Sequence, residues 1–182
     1  VMYQAYTAPD QRNFEQFMDI VGPDGLKLID KIEFREFPTS TLDYSIRVGG
    51  KVERRRKKKA IIVPQFKRGR VAVSPNQLSE GTFKTLALLF YVITETSTAL
   101  LIEEPEVCVH HGLLSSIMEL ISQYSKSKQM FVSTHSDYVL DKVDPSNVYT
   151  VLYNRNRGTE VASIKSSMSS QEYSALRKYL DA

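Results

Sequence analysis

Cysteine is almost missing from this chain: Cys108 is the only one. A single thiol excludes an internal disulfide and fits a reducing, cytoplasmic setting. Long apolar runs are missing too. The longest covers residues 86–93, well short of the roughly 18 to 20 residues that span a bilayer, and suits a buried helix. No membrane partner is therefore expected. The start, Val1-Met2-Tyr3-Gln4, lacks the basic-then-apolar order of a signal peptide and reads as the edge of a fragment. There is no internal repeat, no low-complexity tract and no Pro/Gly-rich linker, which excludes solenoids and beads on flexible tethers.

What is present belongs to a soluble globular class. An apolar share of 42% and a charged share of 25% allow one packed core, and 182 residues allow one core or one with a small appendage. The net charge of +3 is modest but uneven. Residues 51–59 read Lys-Val-Glu-Arg-Arg-Arg-Lys-Lys-Lys, whereas Glu103, Glu104 and Glu106 form an acidic cluster.

Periodicity divides the chain. Residues 10–21 carry Phe14, Phe17, Met18 and Val21 at helical spacing, with Asp10 as an N-cap candidate and Gly22-Pro23 as a stop. Residues 28–37, 42–48, 60–63 and 71–73 read as strands, with turns at 38–40 and 49–50. Residues 1–76 are thus expected to form a helix plus an antiparallel region. From residue 77 to 182 the pattern becomes α/β. Residues 82–93 form an apolar helix, and 99–102 a strand expected to be buried on both faces. Residues 112–124 form an amphipathic helix, 130–132 another buried strand, and 137–142 a short helix. Strands follow at 148–153 and 160–164, and Ser169 with Glu172 makes a capping box for a last helix reaching Leu180. Strand and helix alternating in this way imply a parallel sheet covered by helices.

Three motifs carry chemistry. In Leu100-Leu101-Ile102-Glu103-Glu104-Pro105 a buried strand runs straight into two carboxylates. Ligands of open α/β sheets sit outside such strand ends. One carboxylate there can hold Mg²⁺ and another can orient or deprotonate a water. Neighbours on a strand face opposite ways, so Glu103 is assigned to the metal and Glu104 to the water. The plainer alternative is a strand end with two solvated acids. In Leu78-Ser79-Glu80-Gly81-Thr82, just before the apolar helix, a hydroxyl and a glycine expose backbone N–H groups to an anion. An ordinary Ser cap is the alternative. In Phe131-Val132-Ser133-Thr134-His135-Ser136 a strand again ends in polar residues, and an imidazole there can reach a phosphate or its attacking water. A capping or core histidine is the alternative.

In this order the three motifs resemble the C-terminal lobe of ABC-type ATPases, over about residues 77–144. Residues 78–82 look like the signature motif, 100–104 like Walker B with its catalytic glutamate, and His135 like the switch histidine. Glu-Glu-Pro-Glu followed by Val109-His110, and later Ser-Thr-His-Ser, is similar to OLD-like and AAA-type ATP-binding proteins, a group that includes antiphage-defence ATPases. The resemblance implies a partial P-loop NTPase fold with ATP and Mg²⁺ as cofactors. It implies Glu104 and His135 as catalytic residues, Glu103 as metal ligand, and Ser79, Gly81 and Thr82 as nucleotide contacts across a homodimer that sandwiches ATP. An effector protein and DNA or RNA are the further partners expected. Some positions depart from the pattern: Glu103 stands where Walker B usually has Asp, Glu80 where transporters have Gly, and His111 where relatives often have Pro. These argue against a transporter subunit.

One part is lacking. A phosphate-binding loop needs Gly-x-x-x-x-Gly-Lys-Ser/Thr. The only Gly-Lys, Gly50-Lys51, is followed by Val52 and preceded by Ser45 at the first glycine position. The Walker A lobe is therefore expected upstream or in trans, and the 182 residues alone are expected to be inactive as an ATPase.

Arg54, Arg55, Arg56, Lys57, Lys58 and Lys59 are six consecutive cations. They read either as a solvated hairpin arm or protected edge strand, or as a nucleic-acid contact, and few exposed aromatics interleave with them, so base stacking is not indicated. Two other function readings stay open. One is a non-catalytic regulatory lobe that binds a partner. The other is an SMC- or Rad50-like head fragment, although those heads have heptad coiled coils before the signature and residues 1–76 show none.

Overall fold

Two helices open the chain: α1, Met2–Thr7, and α2, Arg12–Val21. The computed structural model describes residues 1–46, 48–49, 52–169, 171–172 and 175. These fall into two units, Val1–Thr96 and Ser97–Ala182. The first helix is too short and uncapped to leave a sequence signal. The second starts later than its apolar spacing suggests. Asp10 does not cap it; its carboxylate accepts from the Arg12 backbone N–H at 3.1 Å and grips the Arg12 guanidinium at 2.6 Å. Gly22 ends the helix as expected, and a Cβ there would collide with the Met18 carbonyl oxygen.

Next comes a long hairpin, β1 (Lys31–Ile46) against β2 (Val52–Arg68), with β3 (Val71–Val73) pairing the far end of β2. The turn expected at residues 38–40 does not exist. Pro38 pairs opposite Ala60 inside one continuous strand. The sheet order β1-β2-β3 explains this, since β1 is an edge strand and proline's missing N–H costs nothing on a free edge. A single-turn 3₁₀ helix, Pro75–Gln77, then leads to α3, Glu80–Thr94. Phe14, Phe17, Val21, Ile29, Ile32, Phe66, Leu86, Leu89 and Phe90 are buried in this unit. Phe17 meets Phe90 edge-on at 5.3 Å, joining α2 to α3, and Tyr6 meets both Phe14 and Phe34 at 5.3 and 4.9 Å. Edge-to-face aromatic pairs of this kind add to the burial of their area.

In the second unit, β4 (Ala99–Glu103) and β5 (Gln129–Ser133) run parallel, with Glu103 opposite Ser133. Parallel neighbours need a crossover, and α4, His111–Tyr124, supplies it. Then come α5 (Asp137–Leu140), the antiparallel pair β6 (Tyr149–Asn154) and β7 (Gly158–Ser163), and α6 (Ile164–Ser167). Ile164, expected in a strand, opens that helix instead. The Ser169–Glu172 capping box is present, with Ser169 N–H donating to Glu172 Oε2 at 2.8 Å. Apart from residue 175, the rest of that helix lies outside the described residues. The fold is mixed α/β, a parallel pair with antiparallel strands.

One expectation about β4 fails. It was read as buried on both faces, yet Leu101 is 81% exposed and its register partner Phe131 is 51% exposed. Only Ile102, on the alternate face, is buried. Among the described residues the parallel sheet has just these two strands. A short continuous apolar run cannot reveal how many of its faces find cover.

Candidate functional site at the strand ends

The carboxyl ends of β4 and β5 lie side by side, and three of the expected residues meet there. Glu103 ends β4 with an exposed side chain. At Glu104 the backbone turns to φ 43°, a left-handed conformation uncommon for a residue with a side chain. Its N–H still donates to the Ser133 carbonyl at 2.9 Å, so the strand ladder reaches one residue beyond β4. The turn brings Glu104 Oε1 to 3.9 Å from His135 Nε2. His135 exposes 93% of its side chain, and Glu104 43%. Both are open to a ligand arriving from solvent.

Glu106 fixes this arrangement, and sequence reasoning assigned it no role. Its Oε1 accepts from Thr134 Oγ1 at 2.6 Å and from the His135 N–H at 3.1 Å. Thr134 Oγ1 in turn accepts from the Ser136 N–H at 3.0 Å. One carboxylate thus ties the loop after β4 to the loop after β5, with Pro105 buried beside it. Its other oxygen, Oε2, is buried without a hydrogen-bond partner. Hydrogen bonds to a charged acceptor are the stronger kind, so Glu106 is well suited to hold His135 in place. The available signal was a third acid after the strand, next to a Ser-Thr-His-Ser loop; their contact lies 28 residues apart in sequence.

Farther on, His110 caps α4 by accepting the Leu113 N–H at 3.3 Å, and the His111 ring packs on Tyr138 at 5.1 Å. Neither ring is held among carboxylates, and no group of three or more His, Cys, Asp or Glu able to hold a metal occurs among the described residues. Glu103 offers an exposed carboxylate at the strand end. That donor set fits Mg²⁺, which keeps several waters and shares its shell with substrate phosphates.

The signature-like residues belong to the first unit. Ser79 caps α3, its Oγ accepting from the Thr82 N–H at 3.1 Å and sharing a 2.8 Å hydrogen bond with Thr82 Oγ1. The capping role weighed as an alternative is thus present, and it leaves Ser79 exposed. Glu80 would repel an anion at this helix start, but Lys84 one turn on pairs with it at 2.9 Å. A cavity of ≈ 360 Å³ opens beside Ser79 and Thr82, with Lys67 and Arg68 in its wall. Gly81 sits in the first turn of α3.

The six cations, Arg54 to Lys59, lie on the exposed stretch of β2. An aromatic does join the run, but from the opposite strand: Tyr44 pairs with Arg54, whose guanidinium lies 5.6 Å from the ring centre.

Residues 8–141 match the family described as AAA domain, putative AbiEii toxin, Type IV TA system. The chain belongs to this AAA family. No curated protein matches it. Among solved structures it is similar to one from work on ATP-driven dimerization and DNA stimulated activation of SMC ATPases. The TM-score is 0.53 at 16% identity, over 94% of this chain and 90% of that one. It is also similar to the Smc head domain with a coiled coil and joint from Pyrococcus yayanosii, with TM-score 0.55, 14% identity, and 94% and 29% of the two chains covered. A third is the SmcHead bound to the C-winged helix domain of ScpA, with TM-score 0.51, 16% identity, and 86% and 43% covered. This AAA chain spans less than half the length of the last two. The SMC-head reading, disfavoured for want of heptads, thus describes the fold this AAA domain resembles. What precedes α3 here is the β1–β2 hairpin.

Proposed function

We propose that this AAA domain is the C-terminal lobe of an ABC-type ATPase that binds and hydrolyses ATP at a dimer interface and so powers or gates an effector. The observation that carries the reading is the approach of Glu104 to His135, at 3.9 Å, on adjoining parallel strand ends beside Glu103. In this reading Glu104 accepts a proton from the attacking water, a task worth about 10²- to 10⁴-fold in rate. His135 donates a hydrogen bond to the terminal phosphate, and Glu106 holds it there. Glu103 would hold Mg²⁺, which neutralises charge developing on the phosphates. Ser79, Gly81 and Thr82 would meet the nucleotide of the second subunit. The phosphate-binding loop comes from a Walker A lobe upstream or in trans. The Glu-Glu-Pro-Glu wording favours the OLD-like branch and a role of the antiphage-defence kind.

The test needs the protein that carries both lobes. His135→Ala is expected to lower kcat by about 10²-fold while ATP still binds. Ser79→Arg is expected to abolish ATP-dependent dimerisation in sedimentation. Full turnover in the first variant would remove His135 from the account, and retained dimerisation in the second would remove the signature role. The 182 residues alone are expected to bind no Mg-ATP in the micromolar range by calorimetry.

A further inference from the structure

Beyond Pro38 and Ala60 the β1–β2 hairpin is a two-stranded ribbon, since β3 pairs β2 only at Phe66, Lys67 and Arg68. Between Thr39 and Ile46 it extends about 25 Å at the usual rise per residue. Its described residues there are exposed, apart from the half-buried Thr41. Cross-strand partners share a face, so the register sorts the cations into two sets. Arg54, Arg56 and Lys58 share one face with Tyr44, Leu42 and Ser40. Arg55, Lys57 and Lys59 share the other with Asp43, Thr41 and Thr39.

The two faces differ electrostatically although each carries three cations. On the second, Lys57 is bound to Asp43 at 2.8 Å, and the Lys57 ammonium followed by Lys59 holds the Asp43 carboxyl below its ordinary value. On the first, no carboxylate occurs among the described side chains beyond Pro38; Glu36, nearer the core on the same face, accepts from the Tyr3 hydroxyl. There the guanidiniums are set in place by uncharged neighbours: Arg54 lies over Tyr44, and Arg56 Nε donates to Ser40 Oγ at 3.1 Å. Their charge stays unneutralised and their orientation is partly fixed in advance, which lowers the entropy lost on binding.

We infer that this acid-free face of the ribbon docks on duplex DNA. Alternate residues on a strand lie about 7 Å apart, so Arg54, Arg56 and Lys58 form a row suited to successive backbone phosphates. A two-stranded ribbon fits the major groove of B-form DNA, whereas the deep, narrow groove of duplex RNA does not admit it. The opposite face, partly neutralised by Asp43, stays toward solvent. This docking is independent of ATP hydrolysis by the strand-end residues.

The experiment compares two triple variants of the full chain with equal loss of charge, using anisotropy of a fluorescein-labelled DNA duplex across a salt series. Arg54→Gln/Arg56→Gln/Lys58→Gln is expected to weaken binding about 10-fold or more and to flatten the log–log salt dependence by about 2 to 3. Arg55→Gln/Lys57→Gln/Lys59→Gln is expected to weaken it less than about 3-fold. All six positions are exposed, so unchanged circular dichroism and melting are expected for both. Equal losses in the two variants would overturn the one-sided docking. So would duplex RNA bound as tightly as DNA, or binding to phosphatidylserine vesicles with none to the DNA duplex.

Discussion

The strand-end cluster of the second unit and the hairpin arm of the first both present charge to solvent, but by opposite means. At the strand ends the two loops are tied to each other. Glu104 hangs from the Ser133 carbonyl in a left-handed turn, and Glu106 clasps Thr134 and His135. In the arm, the contacts run across the hairpin from one strand to the other: Arg54 to Tyr44, Arg56 to Ser40 and Lys57 to Asp43. Chemistry that depends on a few tenths of an ångström suits the first arrangement, and capture of a long polyanion suits the second. The contrast shows why acids and cations of equal formal charge carry different expectations in one chain.

The comparison can be broken first in the core of the unit that carries the arm. Phe17 is fully buried and packs on Phe90. Phe17→Ala should cost about 3 to 5 kcal/mol of stability, read by urea unfolding, because a cavity opens where α2 meets α3. A loss below about 1 kcal/mol would mean the arm's unit is held together some other way. Next is the clasp. Glu106→Ala removes two hydrogen bonds to a charged acceptor and should cost about 2 kcal/mol. In the protein with both lobes it should lower kcat about 10-fold with little change in KM, and Glu106→Gln, which keeps an acceptor, should restore most of the rate. A purely structural role would move stability without that split.

The smallest effect lies where the arm leaves the core. Lys67 first, then Lys31, holds the Glu33 carboxyl down at about 2 from an ordinary 4.5. A depressed carboxylate stabilises the fold fully above its unfolded value, and that share fades as pH falls through the folded one. Melting temperature should therefore drop between about pH 4.5 and 2, and Glu33→Gln should flatten that slope. An unchanged slope would remove this ion pair from the account of the arm's root.

Much of this was legible because local chemistry decides it. Apolar runs marked β4 and β5, Ser79 marked the start of α3, and the place of Glu103, Glu104 and His135 after apolar strands put them at one sheet edge. What escaped depends on distant partners. The Glu106 clasp joins loops far apart in sequence. Tyr44 reaches Arg54 only through the hairpin register, and Pro38 passes through β1 only because that strand is an edge. The exposure of Leu101 and Phe131 depends on strands that no local pattern counts. The short α1 has neither a cap nor the length to announce itself.

The central claim is that the second unit supplies the water-activating carboxylate of an ATPase. Its most direct measurement is single-turnover hydrolysis and ATP binding, side by side, in the two-lobe protein carrying Glu104→Gln. The account predicts binding within about 3-fold of the parent and hydrolysis slower by about 10²-fold or more. Hydrolysis at the parent rate would contradict it.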